Sequence, residues 1–315
     1  MNKLRVVVMG TTDFAVPALE KLSASDAYDV LCVVCQPDRP NGRGKKMRPL
    51  PMKRTAQALK IPVFQPEKIR GAEAVQYLKK FNPDFFVVAA YGQILSQEVL
   101  DIPKYACVNI HGSLLPKYRG AAPIHHAIID GEKETGVSLM KMDAGMDTGA
   151  VYQKVVMPID AHTTVGQMHD QMAEKGAEAL LPLLQSIADG SAKAVPQDAE
   201  AATYADKIDK ETGHIDWQQS AEKIIRRING TDPWPGAWCW YGKKKIKCFA
   251  PKRLVQKGAP AEAGTVIEAD SEKGLIVAAR DQLIEIGEIQ FPGKRRMKSK
   301  DFLRGNAIET GSVLK

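Results

Sequence analysis

The chain has 315 residues, 44% of them hydrophobic and 26% charged, a composition of soluble globular proteins and enough length for two cores. No apolar run approaches the roughly 18 residues a membrane span needs, and the opening MNKLRVVVMG passes straight into a strand rather than a secretory leader. Five scattered cysteines, an odd number, argue against a disulfide framework and for a reducing compartment, so the expected location is the cytoplasm. The net charge of +7 is uneven: residues 1–206 hold 23 basic and 23 acidic side chains, residues 207–315 hold 21 and 14. Such a basic C-terminal third suits either a nucleic-acid-facing module or an ordinary solubilising surface.

In chain order, RVVVMG (5–10) reads as a buried strand and AVPALEKLSAS as a helix that tolerates Pro17 in its first turn. YDVLCVVCQ is a second strand, which makes the Cys32-x-x-Cys35 pair part of a buried element rather than a redox motif at a strand-to-helix junction. MKRTAQALK and GAEAVQYLKKF are helical, PDFFVVAAYG and YACVNIHG are strands, GVSLMKMD and AVYQKVVMPI form an antiparallel pair, and TVGQMHDQMAEKGAEALLPLLQSIADG is a long helix. Strands alternating with helices predict a doubly wound, mainly parallel α/β sheet of the Rossmann-like kind. Gly10 stands alone where a dinucleotide fingerprint needs three glycines, and Thr12 and Phe14 would crowd a pyrophosphate, so no dinucleotide cofactor is expected.

Residues 190–207 lose apolar periodicity and read as a linker between a domain at 1–189 and a second at 208–315. Past it, DWQQSAEKIIRRINGTDP predicts a helix capped by Asp216, with Ala221, Ile224, Ile225 and Ile228 on one face and Asn229-Gly230 as its stop. The closely spaced short strands that follow predict a small OB-like β-barrel. DPWPGAWCW suits a core hairpin, so Trp217, Trp234, Trp238 and Trp240 are expected in the core rather than stacked on bases.

The chemistry concentrates in VNIHGSLLPKYRG (108–120). Asn109 and His111 are two apart on a strand, point the same way about 6.6 Å from each other, and end the strand where open α/β sheets bind ligands. An amide donor and an imidazole N–H can both meet an oxygen that gains negative charge, and the imidazole can also carry a proton near neutral pH. MDAGMDTGAVY (142–152) offers two carboxylates for the ring, Asp143 and Asp147, with Gly145 and Gly149 bracketing Asp147 in a turn. No nucleophile elbow and no zinc-ligand spacing accompany them, which fits acyl transfer with a nucleophile supplied by the substrate. His125 and His126, adjacent on a helix, face different ways and suit surface or packing roles rather than catalysis. The residues alone leave catalysis and the mere satisfaction of a buried strand end both open.

Asn109-x-His111, SLLPKYRGAAPI (113–124) and DAGMDTG (143–149), with the GTTDFAVPALEKL start, resemble the folate-dependent formyltransferase family over nearly the whole chain. The resemblance implies a transferase that moves a formyl group from 10-formyltetrahydrofolate, without a metal, to the amino group of methionine esterified to initiator tRNA. It implies Asn109, His111 and Asp147 as catalytic residues, the first two holding the oxyanion and Asp147 orienting the ring. Tyr91, Gly92, Ile94 and Leu95, together with Ser113, Leu114, Leu115 and Pro116, would line the folate pocket. Formylation of a nucleotide sugar amine, or RNA binding without catalysis, are the rival readings; the expected state is a monomer.

The loop PDRPNGRGKKMRPLPMKR (37–54) carries seven basic side chains beside the single acid Asp38, and follows the second strand on the same sheet edge as His111. Arg43, Lys45, Lys46 and Arg48 are therefore the expected tRNA contacts there, with Lys207, Lys244 and Lys245 in the C-terminal domain. A mobile solvated loop is the alternative.

Overall fold

In the computed structural model, which describes residues 3–41, 46–47, 49–254 and 261–315, the strand Leu4–Gly10 stands near the middle of a seven-stranded sheet. The order is Val151–Pro158, Glu134–Lys141, Ala106–His111, Phe85–Ala89, Leu4–Gly10, Tyr28–Val34, Val63–Phe64. Five of these run parallel and Glu134–Lys141 is antiparallel to Ala106–His111. The outermost strand returns as a hairpin partner, with Lys141 N–H donating to the Ala150 carbonyl at 2.8 Å. The chain steps outward from Leu4–Gly10 to Val63–Phe64, then resumes on its other side at Phe85–Ala89. The switch point therefore lies at the carboxyl ends of those two central strands, the place where such sheets bind ligands.

The central strands are apolar runs because both faces of a parallel sheet are covered. Val6, Val7, Val8, Phe85, Phe86 and Val108 are fully buried. The helix Val16–Ala24, with Pro17 in its first turn, packs on Tyr28–Val34. The long helix Val165–Ala188 passes so close to the strand Ala106–His111 that a Cβ at Gly176 would come within 2.7 Å of the Ile110 Cγ2. Cys32 and Cys35 are buried, and burial pushes their thiols up to about 12 and about 11, which suits packing and not redox exchange.

By compactness the chain groups into two units, residues 1–120, 136–157 and 169–204 in one, and 121–135, 158–168 and 205–315 in the other. The segment read as a linker is partly tied into the first unit. Val195 and Val151 exchange backbone hydrogen bonds of 2.8 Å, and Arg119 N–H donates to the Thr203 carbonyl at 2.8 Å.

The second unit is built on an antiparallel sheet of order Trp238–Tyr241, Lys244–Leu254, Leu283–Gln290, Gly274–Ala278, Val266–Asp270. Its two edge strands do not pair directly. The segment 311–315 bridges them: Val266 N–H donates to Ser312 and Lys315 N–H to Trp240, at 2.8 and 3.0 Å. The helix Ala221–Gly230 packs against Lys244–Leu254 and buries Ile224 and Ile228 in the unit's apolar core. Ser220, not Asp216, caps it, accepting from Lys223 N–H at 3.4 Å. Asp216 instead holds the preceding turn through Gln218 and Gln219. Trp217 and Trp238 belong to the interior as expected, whereas Trp234 and Trp240 are 53% and 40% exposed. Trp234 lies in a turn in which the Asp232–Pro233 and Trp234–Pro235 bonds are cis.

Candidate active site

Strand pairing on both edges fixes the site's floor. Asn109 is in register with Val88 on one side and Met140 on the other, and His111 with Ser138. Both polar side chains are nearly buried, at 9% and 6% exposure, where an unmet polar group is costly. His111 Nε2 lies 3.0 Å from the Tyr118 carbonyl oxygen. A carbonyl only accepts, so Nε2 carries a proton and the ring is held at that end. Nδ1 faces Asp147 Oδ1 at 3.6 Å, within ion-pair reach but too long for a hydrogen bond. Among the described residues the Asn109 side-chain amide meets no partner.

The turn after Lys141 decides between the two carboxylates. Asp143 is used within the turn, its Oδ1 accepting from Gly145 N–H at 3.1 Å and from the Thr148 hydroxyl at 2.6 Å. Asp147 takes a left-handed backbone, φ +56°, and turns its carboxylate inward, where Oδ2 accepts from Gly120 N–H at 2.8 Å. Gly149 lies directly under the Lys141 carbonyl; a Cβ there would sit 1.7 Å from that oxygen. The structure thus brings together Asn109, His111 and Asp147 and leaves Asp143 outside.

The residues expected around folate are placed less uniformly. Tyr91 and Leu95 are core side chains, although the Tyr91 hydroxyl is buried with no partner among the described residues. The Tyr91 carbonyl accepts from the Thr11 hydroxyl at 2.7 Å and the Gln36 amide at 3.3 Å, tying three strand ends together. Gly92 is exposed with φ +87°, and Ile94 is 80% exposed, an apolar side chain presented at the carboxyl end of Phe85–Ala89. Ser113 and Leu115 are buried and engaged internally: the Ser138 hydroxyl donates to the Ser113 carbonyl at 2.7 Å and accepts from Leu115 N–H at 3.0 Å. Leu114 and Pro116 are half-buried.

Of the expected tRNA contacts, Arg43, Lys45 and Arg48 lie outside the described residues, and so does the side chain of Lys46. Lys207 and Lys244 are exposed. Lys245 is half-buried, its amine 3.2 Å from the centroid of the Trp238 ring. Among the described residues no helix is long and apolar enough to cross a membrane, and no group of three His, Cys, Asp or Glu side chains could hold a metal. Sequence reasoning missed Tyr118, Arg119 and Gln197 as neighbours of the trio. Arg119 carried a signal as a charge inside the SLLPKYRG motif; Gln197, in an aperiodic polar stretch, carried none.

Residues 2–184 match the formyl transferase family and residues 207–307 the formyl transferase C-terminal domain. The chain belongs to the formyl transferase family. Among its curated relatives, the methionyl-tRNA formyltransferase of Acetivibrio thermocellus is 45% identical over 311 residues, 99% of either chain. The methionyl-tRNA formyltransferases of Clostridioides difficile and Magnetococcus marinus are 44% and 45% identical, covering 99% and 100% of this chain and 100% and 99% of theirs. Solved structures share the fold at low identity. HypX from Aquifex aeolicus in complex with tetrahydrofolic acid is 17% identical with a TM-score of 0.63; the match covers 96% of this chain but 47% of that one. An N-formyltransferase from Helicobacter canadensis, in complex with folinic acid and dTDP-3-aminofucose, is 18% identical with a TM-score of 0.66, covering 90% and 99%.

Proposed function

We propose that the chain transfers a formyl group from 10-formyltetrahydrofolate to the amino group of methionine on initiator tRNA, in the cytoplasm where that tRNA is used. The observation that carries this reading is the His111–Asp147 pair beside an unpartnered Asn109 amide, at the ligand-binding end of the sheet. Full-length relatives named methionyl-tRNA formyltransferase support the acceptor. So does the basic C-terminal third, since a small sugar nucleotide needs no such footprint.

In this mechanism the neutral amine of methionine attacks the formyl carbon, and the carbonyl oxygen takes up negative charge. The Asn109 amide donates to that oxygen, an interaction that strengthens as the charge develops. With Nε2–H committed to the Tyr118 carbonyl, Nδ1 is the nitrogen left to work. It accepts the proton from the attacking nitrogen, and the imidazolium so formed lies against the Asp147 carboxylate. Its Nδ1–H then faces the oxyanion and passes the proton to N10 as the carbon–nitrogen bond breaks. The products are formylmethionyl-tRNA and tetrahydrofolate. Exposed Ile94 and half-buried Leu114 and Pro116 supply apolar surface for a pterin, whose polar edge pairs with main-chain groups.

The test is formyl transfer from 10-formyltetrahydrofolate to Met-tRNA beside a nucleotide-linked sugar amine. Turnover on Met-tRNA and none on the sugar amine is expected; the reverse would overturn the acceptor assignment while leaving the transfer chemistry standing.

A further inference from the structure

Asp147 owes its place to a chain of contacts that begins fifty residues further on. The Arg119 guanidinium is almost wholly buried, at 5% exposure, and among the described residues no carboxylate pairs with it. Its Nε and Nη2 both donate to the side-chain oxygen of Gln197, at 3.2 and 2.8 Å. Guanidinium nitrogens only donate, so the orientation of the Gln197 amide is settled: oxygen towards Arg119, nitrogen away from it. That nitrogen donates to two main-chain carbonyls of the acidic turn, Asp147 at 2.8 Å and Gly149 at 2.7 Å. The first belongs to the left-handed residue that carries the carboxylate, a conformation that persists only where its surroundings impose it. Gly120 N–H, next to Arg119, holds the carboxylate itself. The same strand of chain also reaches the other side of His111: the Thr203 hydroxyl accepts from Tyr118 N–H at 2.9 Å, beside the carbonyl that receives Nε2–H.

We propose that Gln197 is a positioning residue for formyl transfer: anchored by buried Arg119, its amide holds the main chain at Asp147 and Gly149 so that the Asp147 carboxylate faces His111. The proposal rests on the reading of His111 and Asp147 as the pair that moves the proton. Gln197 touches neither substrate nor ring, and acts through the turn alone.

Two variants separate positioning from packing. Gln197→Ala removes both halves of the bridge. Gln197→Glu keeps, and charges, the partner of Arg119, but presents acceptor oxygens to two carbonyls and loses both donors. Each is expected to lower kcat roughly 10- to 100-fold, the scale of an ångström-sized misplacement, with KM for Met-tRNA within about threefold of wild type. The decisive measurement is a double-mutant cycle. In an Asp147→Asn background, Gln197→Ala should cost less than about twofold further, because a displaced turn has no carboxylate left to misplace. The pH profile of kcat for Gln197→Ala should likewise approach that of Asp147→Asn. Thermal midpoints report whether each variant folds, and Gln197→Glu, with its Arg119 pair intact, keeps the question open to test if Gln197→Ala does not. Wild-type kcat in Gln197→Glu, or an undiminished cost in the Asp147→Asn background, overturns the positioning role and leaves the proton-moving pair untouched. Wild-type activity of Asp147→Asn alone overturns the pair itself, and this proposal with it.

Discussion

His111 Nδ1 lies 3.6 Å from Asp147 Oδ1, while its Nε2 is held 3.0 Å from the Tyr118 carbonyl. The ring is thus fixed through one nitrogen while the other faces a carboxylate, and in the proposed mechanism that second nitrogen carries the proton. His111→Ala and Asn109→Ala are each expected to reduce kcat about 10²- to 10³-fold. Binding of folate and tRNA should change little, since the proposed mechanism uses both side chains in the transition state. Steady-state kinetics on folded protein with activity within threefold of wild type would remove the residue concerned from the mechanism.

The two acidic residues of the turn should behave differently. Asp147→Asn keeps the shape but loses the charge facing the ring, so a loss comparable to His111→Ala is expected. Asp143→Asn retains an oxygen that can accept from Gly145 and Thr148, and should cost little. Kinetics of the pair read the difference directly; a harmful Asp143→Asn beside a benign Asp147→Asn would exchange their roles.

Gly149 tests the close approach beneath the Lys141 carbonyl. A methyl group 1.7 Å from that oxygen cannot be accommodated without moving the turn or the strand. Gly149→Ala is expected to destabilise by about 1–3 kcal/mol and to lower kcat as Asp147 shifts. Denaturant unfolding and kinetics on one preparation check both; unchanged stability would mean that the turn yields freely.

The cysteines give a pH dependence with a definite sign. Burial raises Cys32 and Cys107 to about 12 in the fold, above the ordinary thiol value of 9.0. Below pH 9 both states hold the thiol proton, and the preference for the folded state is fully present. Above it the unfolded chain ionises first, so stability falls as pH rises from about 9 towards 12. Thiol labelling of Cys32 in native protein at pH 8.5 should be slow and should become fast only on unfolding. Rapid native labelling would show a reactive thiol and revive a role for the Cys32–Cys35 pair.

The basic loop is tested by neutralising Arg43, Lys45 and Lys46 together. If they meet phosphates, tRNA affinity falls and the slope of log K against log salt flattens by roughly 0.7–0.9 for each phosphate no longer neutralised. Folate affinity should be unchanged. Titrations at two salt concentrations with wild-type affinity and slope would leave tRNA binding to the C-terminal residues alone.

Local pattern determined much of this protein. Apolar runs separated by helical segments imply a parallel sheet covered on both faces, and a lone Gly10 argues against a dinucleotide. The two-residue period of a strand places Asn109 and His111 on one face before any coordinate is known. The motif order around them was enough to suggest the formyl transferase family. Period and propensity specify which way a side chain points, but not what comes to meet it. Residue pattern alone left Asp143 and Asp147 open and only the family resemblance favoured Asp147, because which carboxylate faces His111 depends on a left-handed turn packed under the Lys141 carbonyl. Nor could it show that Tyr118 offers His111 a main-chain carbonyl, since a backbone acceptor has no residue type to reveal it. Gln197 and Thr203 lie in a polar stretch without periodicity, and segment 311–315 bridges two strand edges with main-chain groups alone. Some of these contacts join residues seven or eight apart and others residues fifty or more apart, many through backbone atoms that every amino acid shares, so only the closed tertiary structure decides them.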